Sequence, residues 1–210
     1  MMAKKGVFVW KSARIYKPLP LLNEELQKRI VLNGYWQSEK YFSDVAEILR
    51  TELTPKEPLQ PQNEELYNKI RNTNSVCVTI RRGDFMNDKN KGTFYICDNT
   101  YFRNALTYIK NRLPDCTFFG FSDDIDWVKN NMEFPGEVYY ESGVDPVWEK
   151  LRLMSACKHF VLSNSSFSWW AQYLSNEKKK IVVAPDIWYK TGKHAKADLY
   201  QDNWELIHIG

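Results

Sequence analysis

Ser75-Val76-Cys77-Val78-Thr79-Ile80-Arg81-Arg82-Gly83-Asp84-Phe85 is an apolar run that breaks into two arginines, a glycine and a carboxylate. The run is short and rich in β-branched residues, which fits a strand covered on both faces of a parallel sheet. In open α/β sheets ligands sit just beyond the carboxyl ends of such strands, so Arg81 and Arg82 are expected at a binding rim. A guanidinium stays charged at physiological pH and presents a planar fork of donors, so two of them on a rigid strand end suit a phosphate or diphosphate. Gly83 admits close backbone approach, and Asp84 can orient an arginine or accept from a ligand hydroxyl. Two competing readings stand beside this one. The first is an Arg–Asp pair that merely closes a surface turn. The second is an exposed Arg82-Gly83-Asp84 adhesion tripeptide, which a buried preceding strand disfavours.

From residue 74 onward the apolar pattern alternates strand and helix, the signature of a doubly wound, Rossmann-like α/β fold with a parallel sheet. The predicted strands are Val76–Ile80, Thr117–Phe121, Glu137–Tyr140, Phe160–Leu162 and Ile181–Ala184. Helices are predicted at Asn99–Asn111, Ile125–Asn130, Pro146–Cys157 and Phe167–Leu174. Asp145-Pro146 reads as a capping carboxylate before a proline in the first helical position, and Ser166 reads as the cap of the helix after it. The amino-terminal part differs. Leu21–Asn33 and Tyr41–Leu53 read as amphipathic helices, and Thr54–Gln62, with Pro55, Pro58 and Pro61, reads as a linker. The expected division is therefore residues 1–65 as a short helical segment with its linker and residues 66–210 as the nucleotide-binding domain.

The composition of the 210 residues excludes several classes. At 43% hydrophobic the chain readily builds a packed core. A net charge of only +3, from 29 Lys+Arg against 26 Asp+Glu, leaves no broad basic surface for nucleic acid. Cys77, Cys97, Cys116 and Cys157 lack metal-ligand spacing and fit a reducing, cytoplasmic setting. No run of some 18 apolar residues is present to span a bilayer, and Met1-Met2-Ala3-Lys4-Lys5 opens on too short an apolar patch for a secretion signal. His159, His194 and His208 form no ligand cluster, and His159 reads as structural.

Two further strand ends carry polar residues that a core rejects, Ser122-Asp123-Asp124 and Ser163-Asn164-Ser165-Ser166-Phe167-Ser168-Trp169-Trp170. In a parallel sheet they share one rim with Arg81. A hydroxyl-rich turn entering a helix offers free N–H groups and serine oxygens to a phosphate. An aspartate at the neighbouring strand end accepts from a purine edge or from ribose hydroxyls, or else caps its own helix. Together these ends suit a nucleoside diphosphate. Trp169 and Trp170 read as packing residues.

Thr79-Ile80-Arg81-Arg82-Gly83-Asp84 resembles the His-x-Arg-Arg-x-Asp motif of fucosyltransferases. Leu153 through Trp170 is similar to the most distinctive segment of the α-1,2-fucosyltransferases, glycosyltransferase family 11. Gly34–Phe42 and Ala184–Tyr189 match as well. The resemblance implies the donor-binding lobe of a two-lobed, GT-B-like enzyme. It also implies metal-independent, inverting transfer of fucose from GDP-β-L-fucose to a galactose-containing glycan or lipopolysaccharide-type acceptor, in the cytoplasm or peripherally at the membrane. By this resemblance Arg81 faces the β-phosphate, Arg82 supports the site, Asp84 orients, Asp123 reads guanine, and Ser165 and Ser166 hold phosphate, with Asn164, Phe167 and Ser168 beside them at the substrate. Thr79 stands where the motif has histidine, which removes one nucleotide contact. Asp84 and Asp88 are nearby carboxylates, and neither is assigned as general base. The family's amino-terminal Gly-Gly-Leu-Gly-Asn-Gln-like segment has no counterpart in Met1–Leu32. The alternative expectation is therefore a shortened, catalytically silent GDP-binding module.

Overall fold

The computed structural model describes residues 7–11, 29–33, 36, 38–83, 96–190 and 198–209. Two strands, β1 (Val7–Lys11) and β2 (Arg29–Asn33), form a small parallel sheet of their own. The main sheet has six parallel strands: β3 (Asn74–Ile80), β4 (Cys116–Ser122), β5 (Val138–Tyr140), β6 (His159–Val161), β7 (Val182–Pro185) and β8 (Glu205–Ile207). Their spatial order is β5-β4-β3-β6-β7-β8. Chain order thus reverses between β3 and β6, and at such a switch point the two flanking connections leave in opposite directions and open a crevice.

The strands are apolar on both faces because helices cover both. Side chains alternate along each strand, so Cys77, Phe119, Phe121, Phe160 and Leu162 enter one core layer, while Val76, Val78, Ile80, Phe118 and Val161 enter the other. The first layer packs on α5 (Val147–Ser155) and α6 (Ser166–Leu174), through Leu153, Met154, Trp169 and Tyr173. The second packs on α3 (Asn99–Arg112) and α4 (Ile125–Asn131), through Tyr101, Leu106, Ile109 and Val128. Asp98 caps α3 by accepting from the Tyr101 N–H at 2.8 Å. Asp124, not Asp123, caps α4 by accepting from the Trp127 N–H at 3.3 Å.

The expected Rossmann-like parallel sheet is present, and each of the five predicted strands overlaps one of its strands, with Glu137, Leu162 and Ile181 falling just outside. The sheet also gains an edge strand, β8, which the sequence reading did not include. The helix expected over Leu21–Asn33 is overturned at residues 29–33, where Arg29-Ile30-Val31-Leu32-Asn33 pairs as β2, and residues 21–28 lie outside the described residues. The helix expected over Tyr41–Leu53 is shorter, with two 3-10 turns at Glu39–Tyr41 and Ser43–Val45 before α1 (Ala46–Glu52). A helix absent from the sequence reading, α2 (Glu64–Asn72), leads into β3.

Both predicted caps differ as well. Pro146 is itself the N-cap of α5, with an extended ψ of 156°, because Asp145 is held elsewhere by the Asn63 amide at 3.0 Å and the Ser142 hydroxyl at 2.7 Å. Ser165 rather than Ser166 is the N-cap of α6, and its side chain makes no capping bond.

The proline-rich stretch before α2 is fastened down. Arg152 donates to the carbonyls of Pro55, at 3.4 Å, and Glu57, and the Gln60 N–H donates to Glu149 at 3.0 Å. Phe42 also packs on α6, stacked on Trp170 and edge-on to Trp169 and Tyr173.

His159 shows how the sheet fixes a tautomer. Nδ1 accepts the Ile181 N–H at 3.1 Å, so Nε2 carries the proton and donates to Asn74 at 3.0 Å. Burial lowers its pKa, since a second proton removes the acceptor for Ile181 and charges an enclosed ring. The stability this gives is full above the ordinary value of about 6.5 and is lost as pH falls through the lowered folded value. Thermal unfolding followed from about pH 7.5 to about pH 5.5 should show a falling midpoint, and His159→Gln should flatten part of that fall. Parallel profiles for the two proteins contradict this account.

Candidate functional site

A cleft of about 640 Å³ opens over the carboxyl ends of β3, β4, β5 and β6. Its size is that of a small-molecule site, and it lies at the switch point where α/β sheets bind ligands. A second cavity, of about 450 Å³, lies away from these strand ends, between the end of α1 and residues 155–158 and 174–177.

The twin arginines part company at the rim. Arg81 lines the cleft, its Nη1 2.8 Å from Oδ2 of Asp123, and Oδ1 of the same carboxylate accepts the Arg82 N–H at 2.9 Å. One carboxylate thus joins the ends of β3 and β4 and holds the Arg81 fork in place. The Arg82 side chain turns to α4, where its guanidinium lies 3.4 Å from the centre of the Trp127 ring and Nε is 3.5 Å from Asp124. This supports the wall, with cation–π stacking in place of any reach toward the cleft. Gly83 leaves room for this arrangement, because a Cβ there would stand 2.4 Å from Asp123 Oδ2 and push that carboxylate out of place. Asp84 and Asp88 lie outside the described residues.

Across the crevice the serine turn divides into a scaffold and an open face. Thr79 Oγ1 accepts the Ser163 N–H at 2.9 Å, Ser163 and Ser168 hydroxyls lie 3.3 Å apart, and the Asn164 amide donates to the Trp188 carbonyl at 3.0 Å. Thr79, Asn164 and Ser168 are buried and shape the turn, and all three also border the cleft. Ser165 and Phe167 are half-buried and Ser166 is exposed, so these present the open face. The first i→i−4 bond of α6 runs from the Trp169 N–H to the Ser165 carbonyl at 3.0 Å. The N–H groups of Ser166, Phe167 and Ser168 therefore have no partner within the helix, and an anion is the natural one.

Sequence reasoning missed the far wall. Glu141 directly follows β5 and is enclosed, with Oε1 accepting the Ser122 N–H at 3.0 Å and Lys150 Nζ at 3.1 Å. Burial pushes its carboxyl up, against the pull of the Lys150 ammonium. The rule that singled out Arg81 and Asp123, polar residues just past a strand end, also finds Glu141. Lys150, in the middle of α5, carried no such signal.

Among the described residues no cluster of His, Cys, Asp and Glu has the makings of a metal site, and no helix is long and apolar enough to cross a membrane.

The comparisons with known proteins agree with this architecture. The chain is 33% identical over 193 residues to an alpha-1,2-colitosyltransferase of Escherichia coli, covering 89% of this chain and 65% of the relative. It is 29% identical to the O-antigen biosynthesis glycosyltransferase WbnK of Escherichia coli, covering 83% of this chain and 61% of the relative. Human galactoside alpha-(1,2)-fucosyltransferase 1 is 26% identical over 69% of this chain and 42% of its own length. The chain thus spans just under two thirds of the two bacterial relatives and less than half of the human one. No solved structure matches it significantly. The family model for glycosyl transferase family 11 matches residues 24–208, which takes in every strand of the six-stranded sheet, and the chain belongs to that family.

Proposed function

We propose that this chain carries the donor site of a galactoside α-1,2-fucosyltransferase, which moves fucose from GDP-β-L-fucose to the 2-hydroxyl of a galactose-containing glycan with inversion. The observation that carries the reading is the Arg81–Asp123 pair standing across the switch-point crevice from the open first turn of α6. Fucosyl transfer builds oxocarbenium character on the sugar while negative charge grows on the departing diphosphate. A fixed guanidinium and unpaired helix N–H groups aimed at that charge stabilise the transition state more than the ground state. In this reading Arg81 meets the β-phosphate, Ser165 and Ser166 hold phosphate with the α6 N-terminus, and Asp123 faces the nucleoside. Arg82, Thr79, Asn164 and Ser168 keep the walls in register, Phe167 borders the sugar, and Asp84 orients.

The relatives' names, one for galactoside and another for O-antigen biosynthesis, support a galactose-containing glycan of lipopolysaccharide type as the proposed acceptor. Four unpaired, buried thiols suit a reducing, cytoplasmic setting for that work. A second reading, transfer of a colitosyl group in place of fucosyl, is favoured by the 33% identical relative. Turnover of GDP-fucose against GDP-colitose on a common galactoside separates the two.

GDP should bind more tightly than ADP and UDP, and Asp123→Ala should narrow that preference. Titration calorimetry checks both points, and equal affinity for the three diphosphates counts against the assignment. Metal independence is part of the proposal, since Arg81 supplies the compensating charge at the phosphates. Chelator should therefore leave GDP affinity unchanged, and its loss in chelator overturns that part. GDP binding without any turnover of GDP-fucose would favour a silent nucleotide-binding module.

A further inference from the structure

We propose that Lys150, oriented by Glu141, selects the donor's base through its 6-carbonyl, an inference that rests on the nucleoside-diphosphate reading of the cleft. The strand order gives the span. β4 and β5 follow β3 in sequence and in space, and neighbouring strands are about 4.8 Å apart, so the β5 end stands about 10 Å from the β3 end. With the diphosphate anchored between Arg81 and the α6 N-terminus, the nucleoside extends over the β4 end, past Asp123, and its base arrives beyond β5.

The group that meets it there is Lys150. Its Nζ lies 3.1 and 3.0 Å from the two Glu141 oxygens and 3.3 Å from the Gly143 carbonyl. The Glu141 side chain is 0% exposed and that of Lys150 is 17% exposed, and both residues line the cleft, with the carboxylate holding the ammonium in place. An ammonium has three N–H donors and no acceptor, so a base carbonyl pairs with it by replacing the Gly143 carbonyl, the longest of its three contacts. Placed at a purine's position 6, it pairs with the carbonyl of guanine or hypoxanthine and opposes the amino group of adenine. The exposed Val147, one helical turn before Lys150 and also at the cleft, offers apolar surface to a ring. An ion pair kept only for stability has no need to border the cleft, and hydrophobic replacement of such pairs is often neutral.

The test is titration of GDP, IDP and ADP into the unmodified chain, Lys150→Met, Lys150→Arg and the double variant Glu141→Gln/Lys150→Met, each checked for folding by thermal melt. The unmodified chain should prefer GDP and IDP to ADP. Lys150→Met should weaken GDP and IDP by about ten- to a hundredfold, the scale for losing a hydrogen bond from a charged donor, while ADP binding holds or tightens as the clash with its amino group is relieved. Lys150→Arg, which keeps a donor, should retain the preference. Because Lys150→Met strands the Glu141 charge, the double variant removes both charges and should show the same collapse in a folded chain. IDP lacks the 2-amino group, so an equal loss for GDP and IDP isolates the carbonyl. A preference for GDP over ADP as large in the folded double variant as in the unmodified chain overturns the assignment and leaves the donor reading standing. ADP weakened in parallel with GDP also overturns it, placing Lys150 at the phosphates. An unmodified chain that binds none of the three overturns the donor reading and this inference with it.

Discussion

Arg81→Lys should lower donor turnover almost as far as Arg81→Ala, by about a hundredfold or more in each case, the scale for removing one donor that stabilises transition-state charge. The geometry explains why charge alone is insufficient. In the native cleft the Arg81 fork is aligned by Asp123, which is itself anchored by the Arg82 N–H, so the guanidinium is held in a fixed plane at the crevice. A lysine at this position is a compact, strongly hydrated charge with one centre, and its pairing with Asp123 leaves no planar face for a diphosphate. Asp123→Asn isolates the alignment from the charge, since it keeps the shape and weakens the grip on Arg81. Its cost should lie between that of the unmodified chain and Arg81→Ala. Steady-state hydrolysis or transfer from GDP-fucose measures all three variants. Turnover unchanged in both Arg81 variants refutes the role.

How much of this was legible in the sequence depended on whether a residue's partner lay nearby along the chain. The strand Asn74–Ile80 and the serine turn at residues 163–168 are local patterns, an apolar run ending in polar residues, and the fold places them on one rim as their parallel direction requires. From their own chemistry Arg81 and Arg82 are equivalent, and only the family resemblance assigns one to the phosphate and the other to support. Their divergence is set by Trp127 and Asp124, some 40 positions away on α4. The same holds for Asp145, which read as a helix cap until the Asn63 amide, distant in sequence, is seen to hold it. Arg29–Asn33 has an apolar pattern too short to separate helix from strand, and its pairing with Val7–Lys11 decides the matter. Glu141 and Lys150 form a pair that neither residue announces alone, because an ion pair between a strand end and a helix is a tertiary fact.

Glu149→Ala should produce the largest loss of stability among polar substitutions in the domain, about 3–5 kcal/mol, the cost of breaking a buried ion pair from one side. The Glu149 side chain is 0% exposed and every part of it is used. Oε1 accepts the Gln60 N–H at 3.0 Å and the Asn63 amide at 3.2 Å, and Oε2 meets Arg152 Nη1 at 2.7 Å. Alanine therefore leaves a largely buried guanidinium with carbonyl partners only, and removes the acceptor of one Asn63 amide N–H and of the Gln60 N–H at once. Arg152 also donates to the Pro55 and Glu57 carbonyls, so the loss loosens the proline-rich stretch that leads from α1 to α2. Glu149→Gln keeps the volume and one acceptor oxygen and should cost less than alanine. Denaturant midpoints at unchanged slope give the measurement. A shift under about 1 kcal/mol for Glu149→Ala would mean that Arg152 and Asn63 find other partners and that the stretch is not clamped through α5. Glu149 and Lys150 are neighbours on that helix, one fastening the amino-terminal segment and the other bordering the cleft. A loosened clamp should therefore weaken GDP binding as well, and the Gln variant should recover both properties together.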